Sequence, residues 1–313
     1  MYPVARPGTI RSLRLPKPYA HLARGPRALR FYLADAVDLL AQLAPGSVDV
    51  VITSPPYNLG IQYRTYDDGR PRLEYLAWTG EWVKAVARVM AANGSLFLNV
   101  GGKPTEPWTA LDVAHAARQH LALQNLIHWI KSITIDADAA GARAGLTDDL
   151  SVGHYKPINS DRFLHDCHEF VFHFSHEARN KLDRLALGVK YQDASNVARW
   201  QHAGDGLRCR GNAWFIPYDT IQSRDRDRPH PATFPPKLPE YCLRLHGLRD
   251  ARVVMDPFLG LGSSAVAAAR LKVGFIGIEM DEHYLKEAIE RTTFELTRRK
   301  TAHTDAGTSR RPA

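Results

Sequence analysis

The stretch VDVVITSPPYNLG, residues 48–60, sets a short apolar run directly before two prolines, a tyrosine and an asparagine. The run Val50-Val51-Ile52 predicts a buried strand. Two prolines after it remove backbone donors and stiffen the turn, so the groups of Ser54 and Tyr57 would be held in place before any ligand arrives. A proline-rich turn without chemical function is the alternative.

Seven apolar segments of strand length occur along the chain, and amphipathic stretches rich in Ala and Leu lie between many of them. This alternation predicts an α/β fold with a mostly parallel sheet covered by helices on both faces. The segment at 169–174 alternates in polarity and has no helical crossover after it, which favours an antiparallel strand. The seven segments are residues 29–34, 48–53, 94–100, 125–130, 169–174, 251–256 and 273–279.

Charge and composition narrow the class of protein. The chain has 313 residues and a formal net charge of +8, and its first thirty residues contain seven basic side chains and no acid. A polyanion is the natural partner of such a surface, although a solubilising charge excess explains it equally well. No apolar run is long enough to cross a membrane and none follows the basic N-terminus, so we expect a cytoplasmic protein. The three cysteines lack the spacing of metal ligands, so no metal site is expected.

A second candidate motif, VVMDPFLGLGSSAVAAARL, follows a later strand. Gly260 and Gly262 predict a tight turn at which the backbone comes close to a ligand, and Ser263 opens a helix. The next strand ends at Glu279, where a carboxylate can accept both ribose hydroxyls of a nucleoside. Asp256 stands where a dinucleotide-binding loop has its first glycine, which favours a nucleoside with an amino-acid tail over NAD. A tight turn without a ligand is the alternative.

Together, DPFLGLGSSAVAAARL, FIGIEMDEHY and TSPPYN resemble the DNA amino-methyltransferases of the β class, in which the catalytic motif precedes the cofactor motif. The resemblance covers roughly residues 29–295. It implies a Rossmann-like methyltransferase fold with circularly permuted motif order, and S-adenosylmethionine as cofactor. It also implies double-stranded DNA as partner. Many relatives dimerise or accompany a restriction endonuclease, so a homodimer and a cognate endonuclease are further expectations.

The resemblance also assigns roles to residues. Asp35 would lie near the cofactor adenine, with capping of the following helix as the alternative. Thr233 would bond the methionine end of the cofactor. The remaining predicted cofactor residues are Asp256, Pro257, Phe258, Gly260, Gly262, Ser263 and Glu279.

For catalysis, the resemblance implies that an exocyclic amino group of a flipped base enters the turn at Ser54. Its lone pair is delocalised into the ring, so the site must supply two acceptors for its protons. Ser54 Oγ and the carbonyl of Pro55 are the predicted acceptors. Pro56 stiffens the turn, and Tyr57 would offer a ring face for stacking. Asn58 either satisfies turn backbone or contacts substrate.

The chain divides into five predicted segments. These are a basic arm (1–28), a catalytic half (29–174) with an insert at 132–166, a target-recognition region (175–228), a cofactor-binding half (229–299) and a flexible tail (300–313). Inserts this long usually carry recognition or are disordered. The predicted DNA contacts are Lys131, Arg179, Arg184, Arg199, Arg208 and Arg210.

Methylation of cytosine C5 is disfavoured, because it needs an attacking thiolate and no cysteine follows a proline. The resemblance favours N4 of cytosine over N6 of adenine, since Ser at position 54 and HWIKS at 128–132 look closer to the N4 enzymes. The adenine enzyme stays open. So do a catalytically silent DNA-binding protein, a nicotinamide-dependent oxidoreductase and an RNA methyltransferase.

Overall fold

The computed structural model describes residues 16–23, 27–61, 64–141, 145–153, 158–191, 197, 206–218 and 233–308, with side chains described as far as residue 298. Within these residues, nine strands form one twisted sheet in the order β1-β2-β13-β12-β3-β4-β8-β5-β11. Its strands are β1 (Ala20–Leu22), β2 (Leu29–Leu33), β3 (Val48–Thr53), β4 (Met90–Val100), β5 (Ala122–Ile130), β8 (His168–Ser175), β11 (Ala213–Phe215), β12 (Val253–Asp256) and β13 (Gly274–Glu279).

All seven predicted strands are present, and β1 and β11 extend the sheet at its two edges. The strands β2, β13, β12, β3 and β4 run parallel, as the alternation of strand and helix predicts. The strand β8 is antiparallel to both neighbours, which confirms the interpretation of its alternating sequence. The predicted α/β fold with a mostly parallel sheet is therefore confirmed.

Helices cover both faces of the sheet because successive residues of the central strands point to opposite sides. On β3, Val50 and Ile52 pack into one core, with α5, α6 and α7. Val48 and Val51 pack into the other, with α1, α2 and α3. The helices are α1 (Ala36–Gln42), α2 (Arg72–Val89), α3 (Thr109–Arg118), α4 (Ala137–Ala140), α5 (Lys237–His246), α6 (Ser263–Leu271) and α7 (Glu282–Thr308).

The helices that follow the neighbouring strands β12 and β3 lie on opposite faces of the sheet. The chain after β12 continues into α6 on one face, whereas the chain after β3 continues into α2 on the other. In open α/β sheets, such a switch point leaves a crevice beyond the carboxyl ends of the two strands. Here those ends are Thr53 and Asp256, so Ser54–Tyr57 and the loop after Asp256 open from the same crevice.

Because β8 is antiparallel to its neighbours, it starts at the edge of the sheet where the parallel strands end. Its first residues lie at the carboxyl edge of the parallel strands, since Phe170 pairs with Val100. Its last residues lie at the amino edge, where Ser175 pairs with Ala122 at the start of β5. Residues just before β8 therefore belong to the same edge as Ser54, and residues just after it to the opposite edge.

The two predicted inserts contain short elements of their own. A hairpin of β6 (Ser132–Ile135) and β7 (Leu150–Gly153) rises from the end of β5. A second small ladder joins β9 (Val189–Lys190) to β10 (Leu207–Arg208), after a 3-10 helix over Arg184–Leu187. Residues 142–144, 154–157, 192–196, 198–205 and 219–232 lie outside the described residues.

Towards the C-terminus, α7 continues to Thr308 and so includes part of the segment predicted to be a flexible tail. No glycine or proline interrupts the sequence from Glu282 to Ala306, so nothing stops the helix earlier. Residues 1–15, which hold much of the predicted basic arm, and 309–313 lie outside the described residues. None of the helices in the described ranges combines the length and apolar character needed to span a bilayer.

Candidate active site

A cavity opens at the switch point between β12 and β3, and residues predicted from both motifs line it together. They come from loops that lie far apart in the sequence. The predicted residues in its wall are Asp35, Ser54, Pro55, Pro56, Thr233, Pro257, Phe258, Gly260, Ser263 and Glu279. The structure thus brings two predicted segments to one site: residues 54–57, called the catalytic turn below, and residues 257–263, called the cofactor loop.

At one end of this cavity, Glu279 is the last residue of β13. Its Oε2 accepts a hydrogen bond from the backbone N–H of Gly260 at 2.8 Å, and its Oε1 accepts one from Asp281 N–H at 2.9 Å. Burial raises the pKa of this carboxyl group above its usual range. Each oxygen keeps a lone pair for a further donor, so Glu279 can still accept a pair of vicinal hydroxyls.

Asp256 has a different position from the one predicted. Its side chain is enclosed, with the residue 1 % exposed, and it does not line the cavity. It accepts hydrogen bonds from Thr53 Oγ1 at 2.7 Å, Ser264 Oγ at 2.5 Å and Phe258 N–H at 3.1 Å. Burial raises its pKa to about 6. Asp256 therefore ties Thr53, at the end of β3, to Phe258 and Ser264 in the loop and helix after β12.

Gly262 also differs from the prediction. Its φ of +75° is in the left-handed region, and a Cβ there would stand 2.8 Å from the Cβ of Ala288. The glycine thus permits close packing of the turn on α7, and it does not line the cavity. Gly260, by contrast, is in the wall and donates its N–H to Glu279.

Asp35 caps a helix and also lies in the cavity wall, so its predicted place near the cofactor adenine stays a prediction. Its Oδ1 accepts hydrogen bonds from the backbone N–H groups of Val37 and Asp38, at 2.7 and 3.2 Å, so it caps α1. Asp35 also lines the cavity. Capping holds the carboxylate in a fixed orientation at the wall.

An aromatic part of the wall was not predicted. Tyr66 and Trp78 lie 5.9 Å apart between ring centroids, and the guanidinium of Arg70 stands over both rings at 5.0 and 5.3 Å. Trp78 also contacts Phe258 from the cofactor loop, at 5.5 Å between centroids. These rings give the cavity an apolar side suited to a flat heterocycle.

The segment between the catalytic turn and this aromatic wall is held by Asp68. Its carboxylate accepts from the backbone N–H groups of Asn58, Leu59 and Ile61 at 2.8–3.0 Å. The side chain of Asn58 pairs in both directions with the backbone of Arg70. Asn58, with φ of +59°, therefore satisfies turn backbone, which decides between the two roles predicted for it.

In the catalytic turn, Ser54 lines the cavity but Tyr57 lies behind it. Tyr57 is 8 % exposed, so the stacking face predicted for its ring is not available in this conformation. Its hydroxyl instead lies 2.6 Å from Ser54 Oγ. Burial, and then the charge of Glu169, raise the pKa of Tyr57 well above its ordinary value. The Tyr57 hydroxyl therefore stays protonated. Behind it, the carbonyl of Pro56 accepts from Tyr75 Oη.

Glu169, at the start of β8, was missed in the sequence and gathers several groups around its carboxylate. Tyr57 Oη at 3.2 Å and Asn99 Nδ2 at 3.1 Å donate to its Oε2. Lys131 Nζ at 3.2 Å and Tyr218 Oη at 3.4 Å donate to its Oε1. The signal that could have found it is topological, since the first residues of an antiparallel strand here reach the catalytic edge.

The predicted DNA contacts are scattered. Lys131 lies at the catalytic edge but is paired with Glu169. Arg179 and Arg184 follow β8 and so lie at the amino edge, away from Ser54. Arg208 is exposed on β10, and Arg210 stacks on the Tyr241 ring of α5 at 5.3 Å and bonds the carbonyl of Leu187. None of these four arginines lines the cavity. Arg199 lies outside the described residues.

Comparison with known proteins assigns the family. The model of a DNA methylase family, which covers N6 and N4 amino-methyltransferases, matches residues 48–290. The chain belongs to this DNA methylase family. The match includes both the catalytic turn and the cofactor loop, in the order expected for the permuted branch. The protein is thus an S-adenosylmethionine-dependent DNA amino-methyltransferase.

Curated relatives agree with the family. The methylase is 27 % identical over 269 residues to the type II methyltransferase M.HpaI of Haemophilus parainfluenzae, covering 85 % of this chain and 75 % of that one. It is 26 % identical to M.ScaI of Streptomyces caespitosus, covering 84 % and 81 %.

Solved structures share the fold. The PvuII DNA methyltransferase, described as cytosine-N4-specific, matches with a TM-score of 0.59 and 19 % identity over 86 % of this chain and 91 % of that one. A DNA modification methylase of Thermus thermophilus in complex with S-adenosyl-L-methionine matches with a TM-score of 0.53 and 21 % identity, over 84 % and 93 %.

The residues of the methylase cavity fit S-adenosylmethionine. Glu279 offers acceptors for ribose hydroxyls, and the aromatic wall suits an adenine ring. Thr233 and Ser263 add polar groups to the same wall. The cofactor, when bound, supplies a methyl group on a positively charged sulfur. Ser54 lines the same cavity as Glu279, so a cofactor bound there would share the cavity with the predicted acceptor turn.

Proposed function

We propose that the methylase transfers a methyl group from S-adenosylmethionine to the exocyclic N4 of a cytosine that is flipped out of double-stranded DNA. The observation that carries the proposal is the position of Ser54, whose hydroxyl lines the same cavity as Glu279 and is bonded to Tyr57. In this proposal a neutral hydroxyl, and not a carboxylate, receives the amino group.

The chemistry asked of the turn is orientation more than base strength. An exocyclic amino nitrogen is a poor nucleophile because its lone pair is delocalised into the ring. Two acceptors that hold its protons favour a pyramidal nitrogen with the lone pair directed at the methyl group. In the proposal, Ser54 Oγ is one acceptor and the carbonyl of Pro55 is the other. Asp256 and Asp68 keep the turn in place from behind.

Support for cytosine comes from Ser54 and from the resemblance of the sequence to N4 enzymes, with the PvuII enzyme as a fold relative described as cytosine-N4-specific. The family covers both amino-methyl products, so N6-methyladenine is the competing result. We further propose that DNA recognition lies in the later part of 175–228, which reaches the catalytic edge at Tyr218. Arg179 and Arg184 are at the wrong edge for contact near the flipped base. A homodimer and a cognate endonuclease stay predictions.

The test is product identification. The purified protein is incubated with unmethylated DNA of mixed sequence and with S-adenosylmethionine that carries a deuterated methyl group. The DNA is then digested to nucleosides for mass spectrometry. We expect deuterated N4-methylcytosine, and far less of it with a Ser54→Ala protein stopped at the same early time. Deuterated N6-methyladenine would contradict the choice of base. Absence of any labelled base in DNA, with label in an RNA substrate, would contradict the choice of nucleic acid.

A further inference from the structure

A hydrogen-bond chain runs from the cavity wall into the protein, through Ser54 Oγ, Tyr57 Oη and Glu169 Oε2. The two steps are 2.6 and 3.2 Å long. Glu169 is well shielded, with 13 % of its side chain exposed, and its partner Lys131 has 17 % exposed. Removing a carboxylate and an ammonium group from water costs free energy, which is offset only where the geometry is good and further hydrogen bonds form, as with the four donors around Glu169.

We propose that Glu169 is a positioning residue that fixes the direction of hydrogen bonding along this chain, so that Ser54 Oγ is held as an acceptor for the target amino group. The inference rests on the proposed function, because only an amino substrate requires Ser54 to accept. Glu169 acts through Tyr57 and has no contact with the substrate in this account.

The direction follows from the single proton on the Tyr57 hydroxyl. A carboxylate can only accept, so Tyr57 donates to Glu169. Asn99 confirms this direction, since its Nδ2 donates to Glu169 Oε2 and to the carbonyl of Phe170, which leaves its Oδ1 facing Tyr57 Oη at 3.4 Å. Tyr57 thus has two acceptors on its inner side. Its oxygen then accepts from the Ser54 hydroxyl.

The consequence appears at the cavity wall. The Ser54 hydroxyl has one proton, and donating it to Tyr57 leaves only lone pairs toward the cavity. Were the direction reversed, the Ser54 proton would point at the incoming amino group and oppose it. One buried carboxylate therefore decides whether the catalytic hydroxyl accepts or donates.

Lys131 makes the arrangement sensitive to substitution. Its ammonium group stands 3.2 Å from Glu169 Oε1. In a Glu169→Gln protein the amide oxygen would turn to this charge, because a charge-assisted hydrogen bond is the stronger one. The amide NH₂ would then face Tyr57 and Asn99. Asn99 Nδ2, which donates to Glu169 Oε2, would then meet a second donor, so the Asn99 amide would turn its oxygen to the new NH₂ and its own NH₂ to Tyr57. Tyr57 would accept from both amides and donate to Ser54, which reverses the chain without removing a side chain.

The experiment is a double-mutant cycle on methyl transfer. We expect Glu169→Gln to lower the single-turnover rate about 100-fold, as a misdirected reacting group does. Tyr57→Phe only releases the Ser54 hydroxyl, and we expect a loss of about tenfold, the scale of one hydrogen bond. In the double variant the Tyr57 hydroxyl is absent, so the amide introduced at position 169 cannot change the direction of the Ser54 hydrogen bond. Its rate should rise to that of Tyr57→Phe alone, so the second substitution rescues the first.

Controls separate this inference from folding and from the proposed function. The dissociation constant for S-adenosylmethionine should stay within about twofold in all variants, since Glu279 and Gly260 are untouched. Glu177→Gln, at the exposed end beyond β8, is the matched control and should transfer methyl groups as the unmodified protein does. If the unmodified protein forms no methylated base, the proposed function fails.

If it does form one, three results would overturn the role of Glu169. The first is full activity of Glu169→Gln. The second is a double variant as slow as, or slower than, Glu169→Gln. The third is full activity of Tyr57→Phe, which decides the matter even where the glutamine variant does not fold.

Discussion

The two ends of the ladder between β4 and β8 each carry a buried polar cluster, and the clusters differ in charge and in access. At the carboxyl end, Glu169 and Lys131 form an ion pair behind Ser54, which opens to the cavity. At the amino end, Ser95 Oγ lies 3.0 Å from His173 Nε2 and 2.9 Å from His246 Nδ1, and the cavity does not reach them in the described part of the chain.

From this difference we infer that Ser54 acts in methyl transfer and that Ser95 has a structural role. Burial lowers the pKa of His173 to about 3 and also lowers that of His246, so both histidines are neutral at pH 7. A neutral, closed network stabilises the fold. A charged network beside an opening controls the direction of a hydroxyl. On β4, Ser95 of the first network and Asn99 of the second are only four residues apart.

The largest effect we expect outside the catalytic turn is on cofactor binding, through Glu279→Gln. The amide has only one acceptor oxygen for the N–H groups of Gly260 and Asp281, and none to spare for ribose hydroxyls. The dissociation constant for S-adenosylmethionine should rise about 10- to 100-fold, from the loss of charge-assisted hydrogen bonds. Calorimetry measures it. An unchanged affinity would show that the cofactor ribose does not bind at Glu279.

The cluster of Ser95, His173 and His246 should make the free energy of unfolding depend on pH. The unfolded chain binds a proton at histidine near pH 6.5, whereas folded His173 does not until about pH 3. The free energy of unfolding therefore falls as the pH falls from 6.5, by about 2 kcal/mol at pH 5 for this group. Asp256, with its raised pKa, changes stability in the opposite sense.

The quantity to measure is the difference between the unmodified protein and His173→Asn, by urea unfolding at pH 7.5 and pH 5. The asparagine cannot take up the proton, so its unfolding free energy should depend less on pH. Equal pH dependence in the two proteins would show that His173 is accessible to protonation in the folded state, which breaks the contrast between the clusters.

A smaller effect is expected at Asp256. It tests whether a residue's place at the catalytic edge or its enclosure decides between a catalytic and a structural role. Asp256 lies at the catalytic edge but is as enclosed as the histidines. Asp256→Asn should lower the free energy of unfolding by about 1–2 kcal/mol, because Ser264, Thr53 and Phe258 N–H donate to it. The cofactor dissociation constant should change less than in Glu279→Gln. A loss of binding as large as in that variant would place Asp256 in contact with the cofactor.

Much of the fold could be predicted because apolar runs and amphipathic stretches are local signals. Local signals also identified Ser54, Glu279 and Gly260, since each lies at or just after the end of a strand that the sequence predicts clearly. Asp256 and Gly262 show the limit of this reasoning. Their motif is the correct one, but a motif does not tell which residues face the ligand and which face the helix behind it.

Glu169 was missed for a different physical reason. Its partners Tyr57, Asn99, Lys131 and Tyr218 come from four other segments, and only the antiparallel placement of β8 brings it to them. The same holds for Tyr66 and Trp78, which reach the cavity because Asp68 and Asn58 fold the intervening loop. Contacts between distant segments depend on topology, which no short pattern contains.

The most direct test compares the two serines, by measuring single-turnover methyl transfer and thermal unfolding for Ser54→Ala and Ser95→Ala. We expect Ser54→Ala to lose about 10²- to 10³-fold in rate with an unchanged melting temperature, as when a preorganised polar group is removed from an active site. Ser95→Ala should keep its rate but lose about 1–2 kcal/mol of unfolding free energy, because two histidines lose a partner. Full activity in Ser54→Ala, or a comparable loss of rate in Ser95→Ala, would contradict the account.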